Sequence, residues 1–305
     1  MNEKDYLNME PLRFYYKDCF KQDVQYHFVS SYFDTNFPIA MHYHDFYEIN
    51  IITSGKGFHH IENRIFEANA GSVFVIPPKI KHGYNADSTL TVYHLLLSYP
   101  FLQHYKNEIE SFKGYSFLFS IEPKLRLSYK EQLFFVLSKA NLTKITKSMK
   151  EITKYEQSNT PQDHVLQNVK ALLLISDLCN FFASSSFYSE KATFKNSPYL
   201  ILRAMEYIHS HFYEQIKIES LLKIANMSRS NFFHQFKSMC GITPNDYIIN
   251  CRIEHAKELL TNTAMSITDI AQECGFFDSS HFERVFKKLS NHKSPSAYRK
   301  CKKIN

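Results

Sequence analysis

The sequence predicts an α+β protein of several domains: a β-barrel near the N-terminus, helices behind it, and an all-α C-terminal domain with two helix-turn-helix units. Three observations predict this. Residues 24–100 break short apolar runs with turn residues, as in "YEINIITSG" and "GFHHIENRIFEANAGSVFVIPPKIKHGYN", the pattern of many short strands in a small sandwich or barrel. From about Ser128 the apolar spacing becomes helical. Beyond a Ser-rich stretch the chain runs twice through one helix–turn–helix pattern. The expected boundaries are a barrel at 1–127, a helical segment at 128–183, a linker at 184–197 and a helical domain at 198–305.

The barrel holds the first candidate site. In "MHYHDFYEIN" the residues His42, His44 and Glu48 stand two and four positions apart. On one strand they would face the same way, and His82 can join them. Three imidazoles and a carboxylate suit zinc, iron, manganese or nickel. The same groups also suit the polar lining of a ligand pocket, or purely structural polar positions. His59, His60, His94 and His104 have no ligand spacing and read as ordinary surface or barrel residues.

The helical segment follows. "SYKEQLFFVLSKANLTKITKSMKEI" and "QDHVLQNVKALLLISDLCNFF" carry apolar residues at helical spacing, with Pro161 near the start of the second. Val165, Val169, Leu172, Leu173 and Ser176 share one face. Such a stripe packs on a neighbouring domain or on a second copy of the chain, and the expectation here is a homodimer.

The C-terminal repeat comes next. "IESLLKIANMSRSNFFHQFKSMCGITPNDYI" and "ITDIAQECGFFDSSHFERVFKKLSNHKSPSAYR" each hold a short helix, a turn, a second helix ending in Phe-Lys, and a Pro with a Tyr three residues on. The turns centre on Asn226 and Gly275, which tolerate positive φ. Ser228 and Asp278 are candidate N-caps. The units span about 218–240 and 267–288, joined by one amphipathic helix at about 244–260. Phe232 and Phe236, and then Phe282 and Phe286, are spaced to anchor the core. That leaves Ser230, Phe233, His234 and Lys237 outward on the first second-helix, and Ser279, Ser280, Glu283, Arg284, Lys287 and Lys288 outward on the other. Arg284 can pair with a guanine edge and Glu283 can accept from cytosine. Lys237, Lys287 and Lys288 suit phosphates.

Composition narrows the classes. The 305 residues are 44% hydrophobic and 22% charged, with net charge +6, ordinary for a globular chain. The excess lies late: residues 196–305 carry 15 Lys+Arg against 10 Asp+Glu, a bias that permits nucleic-acid binding. No run of about 18 apolar residues stands out, so no membrane partner is expected. The N-terminus lacks an apolar signal core, and the six scattered cysteines form no CxxC pair. Both point to the cytoplasm and away from disulfide or zinc-finger scaffolds.

Residues 199–300 resemble the DNA-binding domain of the AraC/XylS family of bacterial transcription regulators. The residues that carry the resemblance are "FFHQFKSMCGITPNDYI", "RIEHAKELL", "SITDIAQECGFFDSSHFERVFKK" and "SPSAYRK". It implies that each second helix enters the major groove of double-stranded DNA, with Ser230, Phe233 and His234 in one segment and Ser279, Ser280, Glu283 and Arg284 in the next. Two departures stand out: Leu222 replaces a usual small residue, and the stretch from Phe-Lys to the proline, "KLSNHKSP", is one residue longer than "SMCGITP".

Members of this family often carry a small barrel of cupin type before the DNA-binding part. Here His42, His44, Glu48 and Gly55 match the first cupin motif, and Gly71, Pro77 and His82 match most of the second. Lys79 replaces a usual glycine and Ala86 a preferred Asn. The resemblance implies a cupin-like sensor whose His42, His44, Glu48 and His82 line the site of a small-molecule effector, with no cofactor and no catalysis. The chain is thus expected to be an effector-responsive activator that binds a small metabolite such as a sugar and works with RNA polymerase. The alternatives are a metal-dependent cupin enzyme fused to a DNA-binding domain, and a DNA-binding protein that senses nothing.

Overall fold

One long strand organises the N-terminal unit. In the computed structural model, which describes residues 11–21, 24–86, 89–128, 135–157, 160–184 and 198–302, strand β4 runs Tyr47–Ile61 without ending at Gly55. Gly55 has φ +78°, and a Cβ there would collide with the Thr89 carbonyl, so the strand bends through glycine and belongs to two sheets. Its first half pairs with β6 (Ser72–Ile76) and β8 (Leu90–Leu97). Its second half pairs with β5 (Arg64–Asn69) and β7 (His82–Asn85). β8 also takes β2 (Val29–Asp34). β7 takes β3 (Ile39–His44), and β1 (Leu12–Phe14) adds to β3 in parallel. The result is a curled sheet around Ile52, Phe66, Phe74, Ile76, Tyr84 and Val92.

A short helix α1 (Tyr16–Cys19) follows β1. After β8 come α2 (Tyr99–His104), α3 (Lys106–Ser111), a π-helical turn at Phe117–Ile121 and α4 (Glu122–Ser128). The expected continuous helix from Ser128 is corrected here. Phe135–Val136 forms strand β9, paired with β6; residues 129–134 lie outside the described residues. Phe and Val fit a pleated edge, and Leu137 N–H donates to the Gly71 carbonyl at 2.9 Å. Helix α5 starts at Lys139 and ends at Glu156, opened by Ser138, whose Oγ accepts from Asn141 N–H at 3.2 Å.

Helix α6 (Pro161–Ser184) packs along α5. By length and composition it could cross a membrane, but the first turns of its buried face carry bonded polar residues and the rest packs within the unit. Gln167 donates to Glu156 at 2.8 Å and Asn168 to the Tyr26 carbonyl at 2.9 Å. It is a core helix of this unit. The linker expected at 184–197 falls, after Ser184, outside the described residues.

The chain forms two compact units, residues 1–192 and 193–305. The second unit holds α7 (Pro198–His211), α8 (Ile218–Ala225), α9 (Arg229–Cys240), α10 (Pro244–Asn262), α11 (Ile267–Glu273), α12 (Ser279–Leu289) and α13 (Pro295–Lys302). Phe232, Phe236, Phe282 and Phe286 are fully buried. Ile253, Ala256 and Leu260 of α10 pack on Phe276, Phe282 and Phe286. Leu222 is half-buried on α8, so the larger side chain is accommodated within the first helix pair. Asn291 (φ 49°) and His292 (φ 61°) absorb the extra residue after α12.

Candidate functional site

Glu48 is the hub of a buried histidine cluster inside the barrel. Its Oε2 lies 3.0 Å from His44 Nε2 and 2.8 Å from His82 Nε2, and its Oε1 lies 2.6 Å from His94 Nδ1. His42 sits beside them, its ring 4.1 Å from that of His82. His42, Glu48 and His82 each offer one ligand atom within 4.8 Å of the others. Three rings are oriented by the main chain. Nδ1 of His42, His44 and His82 lies 2.9, 2.8 and 3.1 Å from the carbonyls of Ala40, Phe46 and Ile80, respectively.

Two sequence readings change here. His42 and His44 share β3, but the chain turns at Asp45–Phe46 and Glu48 belongs to β4. The cluster therefore assembles across strands and is not one face of a single strand. His94 and His59 are not ordinary barrel positions. His94 lies opposite Asn50 in the β4–β8 ladder and bonds Glu48 directly. His59 is buried, its ring stacked 3.9 Å from Tyr84. The signal was present in "LTVYHLLL": His94 shares strand phase with Leu90, Val92 and Leu96, the inward-facing set.

Electrostatics follow from burial. Burial raises the Glu48 carboxyl, but hydrogen bonds from His44, His82 and His94 outweigh it and hold the group well below the usual carboxylate range. Burial lowers His82, against the pull of Glu48. Burial and the neighbouring His82 push His42 down to about 3. Burial also lowers His59 strongly. Asn50 Nδ2 and Oδ1, both ring nitrogens of His59, and His94 Nε2 are buried with no protein hydrogen-bond partner. Two surface depressions of this unit are lined by residues outside the cluster. One of about 540 Å³ is lined by Lys17, Cys19, Phe20, Lys21, His27 and Glu156. The other, about 420 Å³, is lined by Met41, His60, Glu62, Arg64 and Lys81.

The second unit presents two helical surfaces. On α9, Ser230, His234 and Lys237 are exposed. Phe233 is half-buried, with the Arg229 guanidinium 5.6 Å above its ring. Arg229, which residue spacing did not single out, also pairs with Glu219 at 3.1 Å. On α12, Ser280, Glu283, Arg284, Lys287 and Lys288 are exposed and Ser279 is partly so. Asp278 caps this helix, accepting from His281 N–H at 2.6 Å. Ser228 holds the N-cap position of α9 without a side-chain cap bond. Asn226 and Gly275 have φ of 47° and 76° and turn each unit.

Comparison with known proteins agrees with this architecture. Residues 28–222 match the model of an AraC-like ligand binding domain, and residues 221–301 match that of a helix-turn-helix domain. The HTH-type transcriptional activator RhaS of Enterobacter sp. (strain 638) is 25% identical over 248 residues, 81% of this chain and 83% of the relative. The Msm operon regulatory protein of Streptococcus mutans serotype c is 26% identical over 279 residues, 90% and 91% of the two chains. Among solved structures, the C-terminal domain of AraT, a response regulator from Geobacillus stearothermophilus, is 32% identical. It covers 35% of this chain and 87% of that one with a TM-score of 0.33.

Proposed function

The chain belongs to the AraC/XylS family of DNA-binding transcription regulators, and from that premise we propose that it is a homodimeric activator whose barrel binds a small polar metabolite. It works in the cytoplasm on double-stranded promoter DNA, together with RNA polymerase, and catalyses no reaction. The observation that carries the DNA reading is the paired presentation of Ser230, His234 and Lys237 on α9 and Ser280, Glu283 and Arg284 on α12, each set outside a fully buried Phe pair. In helix-turn-helix proteins such second helices carry the base contacts. Phe233 and Ser279 flank these sets, while Lys237, Lys287 and Lys288 hold phosphates. Arg284→Ala costs about 1–3 kcal/mol at the cognate site and relaxes specificity at one base. Binding of the full chain to duplexes selected from a random library measures this, and unchanged affinity would remove Arg284 from the interface.

The effector reading rests on the barrel interior. Asn50, His59 and His94 leave donors and acceptors without protein partners beside Glu48, His42, His44 and His82. Hydroxyl groups both donate and accept, so a sugar or related polyol matches this lining. A ligand that binds only the folded barrel raises its melting temperature. A thermal-shift screen of the full chain against sugars, organic acids and divalent metals tests the class, with Asn50→Ala as control.

A second reading has its own observation. His42, His44 and His82 each direct Nδ1 at a main-chain carbonyl. A neutral ring so held carries its proton on Nδ1 and turns the Nε2 lone pair inward. With that tautomer at His44 and His82 the contacts to the Glu48 carboxylate at 3.0 and 2.8 Å set acceptor against acceptor, the alternative to the Nε2–H donors that lower Glu48 in the metal-free cluster. A divalent cation between them removes the conflict, and three imidazoles and a carboxylate suit a transition metal. Metal analysis of chain purified without chelators decides. Stoichiometric metal lost on His44→Ala supports this reading; a turnover lost with it would move the barrel to the enzyme class.

A further inference from the structure

Phe277 is 93% exposed, the most exposed large hydrophobic side chain among the described residues. It stands in the turn of the second helix-turn-helix unit, immediately before the cap of α12. Its neighbours on both sides are held by packing and hydrogen bonds. On one side Gly275 adopts φ +76°, and a Cβ there would lie 2.5 Å from the Tyr213 carbonyl oxygen, so the turn is closed against Tyr213. Phe276 is buried, its ring 5.2 Å from that of Phe282, and its N–H donates to the Ala271 carbonyl at 2.9 Å. On the other side the Asp278 carboxylate caps His281 N–H. Residue 277 is thus held between two fixed points with its ring in solvent. The corresponding turn of the first unit behaves differently: Met227 is half-buried there.

We propose that Phe277 is a specificity-determining residue that reads the C5-methyl group of a thymine in the major groove. The leading end of a recognition helix faces the base edges. Thymine methyl is the one apolar group a base presents there, and an aromatic ring is among its known kinds of partner. The surroundings favour DNA over a protein surface. The exposed sequence neighbours Gln272, Glu273, Asp278 and Ser280 are polar, and the other exposed aromatic at this turn is Tyr213, whose main chain lies against Gly275 and whose ring carries a hydroxyl. Arg284, Lys287 and Lys288 are exposed on the same helix and complement a polyanion. Asp278, next in the chain, disfavours phosphate there, which leaves the base edge as its target. This inference rests on α12 being a DNA-reading helix and adds an apolar contact from the turn that leads into it.

The test uses the full chain. Wild type, Phe277→Ala and Arg284→Ala each select duplexes from a random library, and deoxyuridine then replaces each thymine of the wild-type duplex in turn. The expected result is one position where loss of the methyl weakens wild type about 4-fold, the value of one buried carbon. Phe277→Ala binds that duplex and its parent equally and accepts other bases at the position, while Arg284→Ala keeps the thymine dependence. A Phe277→Ala variant that retains both the preference and the deoxyuridine penalty overturns the proposal. So does one that keeps affinity and sequence profile but loses transcription with purified RNA polymerase, which would place the ring on the polymerase. If wild type selects no sequence at all, the DNA-reading role of α12 fails first, and the two failures are distinguishable. Unchanged melting temperature of Phe277→Ala, expected for so exposed a side chain, guards against misfolding.

Discussion

Two glycines with nearly the same backbone separate strain from collision. Gly241 has φ +75° with nothing within 4 Å of an added Cβ, whereas Gly275 has φ +76° with the Tyr213 main chain against it. Gly241→Ala therefore costs the left-handed penalty alone, about 1 kcal/mol. Gly275→Ala adds the collision and lowers stability by about 2–4 kcal/mol. Urea unfolding of the full chain followed by circular dichroism compares them; equal losses would mean that the Tyr213 contact yields freely. Gly275 was legible in the sequence because a turn residue between two helices announces itself. His94 was not legible by spacing. The ligand pattern in "MHYHDFYEIN" is local, whereas His94 reaches Glu48 only through the β4–β8 register, which pairs Asn50 with His94. What a sequence can offer there is strand phase: a histidine on the inward side of "LTVYHLLL" has to find a partner in the core.

At the scale of elements, α5 is tied to β2 by one carboxylate. Glu156 accepts from Ser30 Oγ at 3.1 Å, Ser31 N–H at 3.0 Å and Gln167 Nε2 at 2.8 Å. Burial raises this carboxyl, but bonds from His27, Gln167 and Ser31 outweigh it, so its folded value lies below the ordinary 4.5. A depressed carboxylate stabilises the fold above its unfolded value and loses that contribution as pH falls through the folded one. Glu156→Gln should therefore be less stable than wild type at pH 7, with the gap closing below about pH 4.5. The barrel histidines act in an earlier window. His42 is lowered from 6.5 to about 3, so the unfolded chain takes up its proton first and stability falls as pH drops below about 6.5. Denaturant midpoints of both proteins at pH 7, 5 and 4 separate the two. A gap that persists unchanged at pH 4 would show that Glu156 acts through packing and not through its charge. The helix pair itself was readable from its period, but its start was not. Apolar spacing alone cannot tell strand from helix in "LFFVL", and the return of Phe135–Val136 to β6 is a non-local pairing.

For the whole molecule the open face of α6 is decisive. The helix buries His164, Gln167, Ala171, Leu174, Ile175 and Leu178 within its own unit. It leaves Val165, Leu166, Val169 and Leu173 exposed, Leu173 by 60%. Sequence alone read one apolar stripe there, because Leu172, Leu173 and Leu174 look alike until packing divides them. Among the described residues of the unit nothing covers the exposed set, and burying a Leu or Val side chain is worth about 1.5–3 kcal/mol. In the proposed homodimer a second copy of the chain would bring the same four residues to an isologous interface. Leu173→Lys should therefore turn a dimer into a monomer in sedimentation while leaving the melting temperature unchanged. On DNA carrying a single site its affinity should match wild type. On DNA carrying two correctly spaced sites it should lose the 10²–10⁴-fold advantage that linking two binding events can supply, or the part of it that site geometry permits. A Leu173→Lys chain that stays dimeric, with Val169→Lys equally without effect, would place the interface elsewhere. The α6 stripe would then be a cover for another part of the same protein.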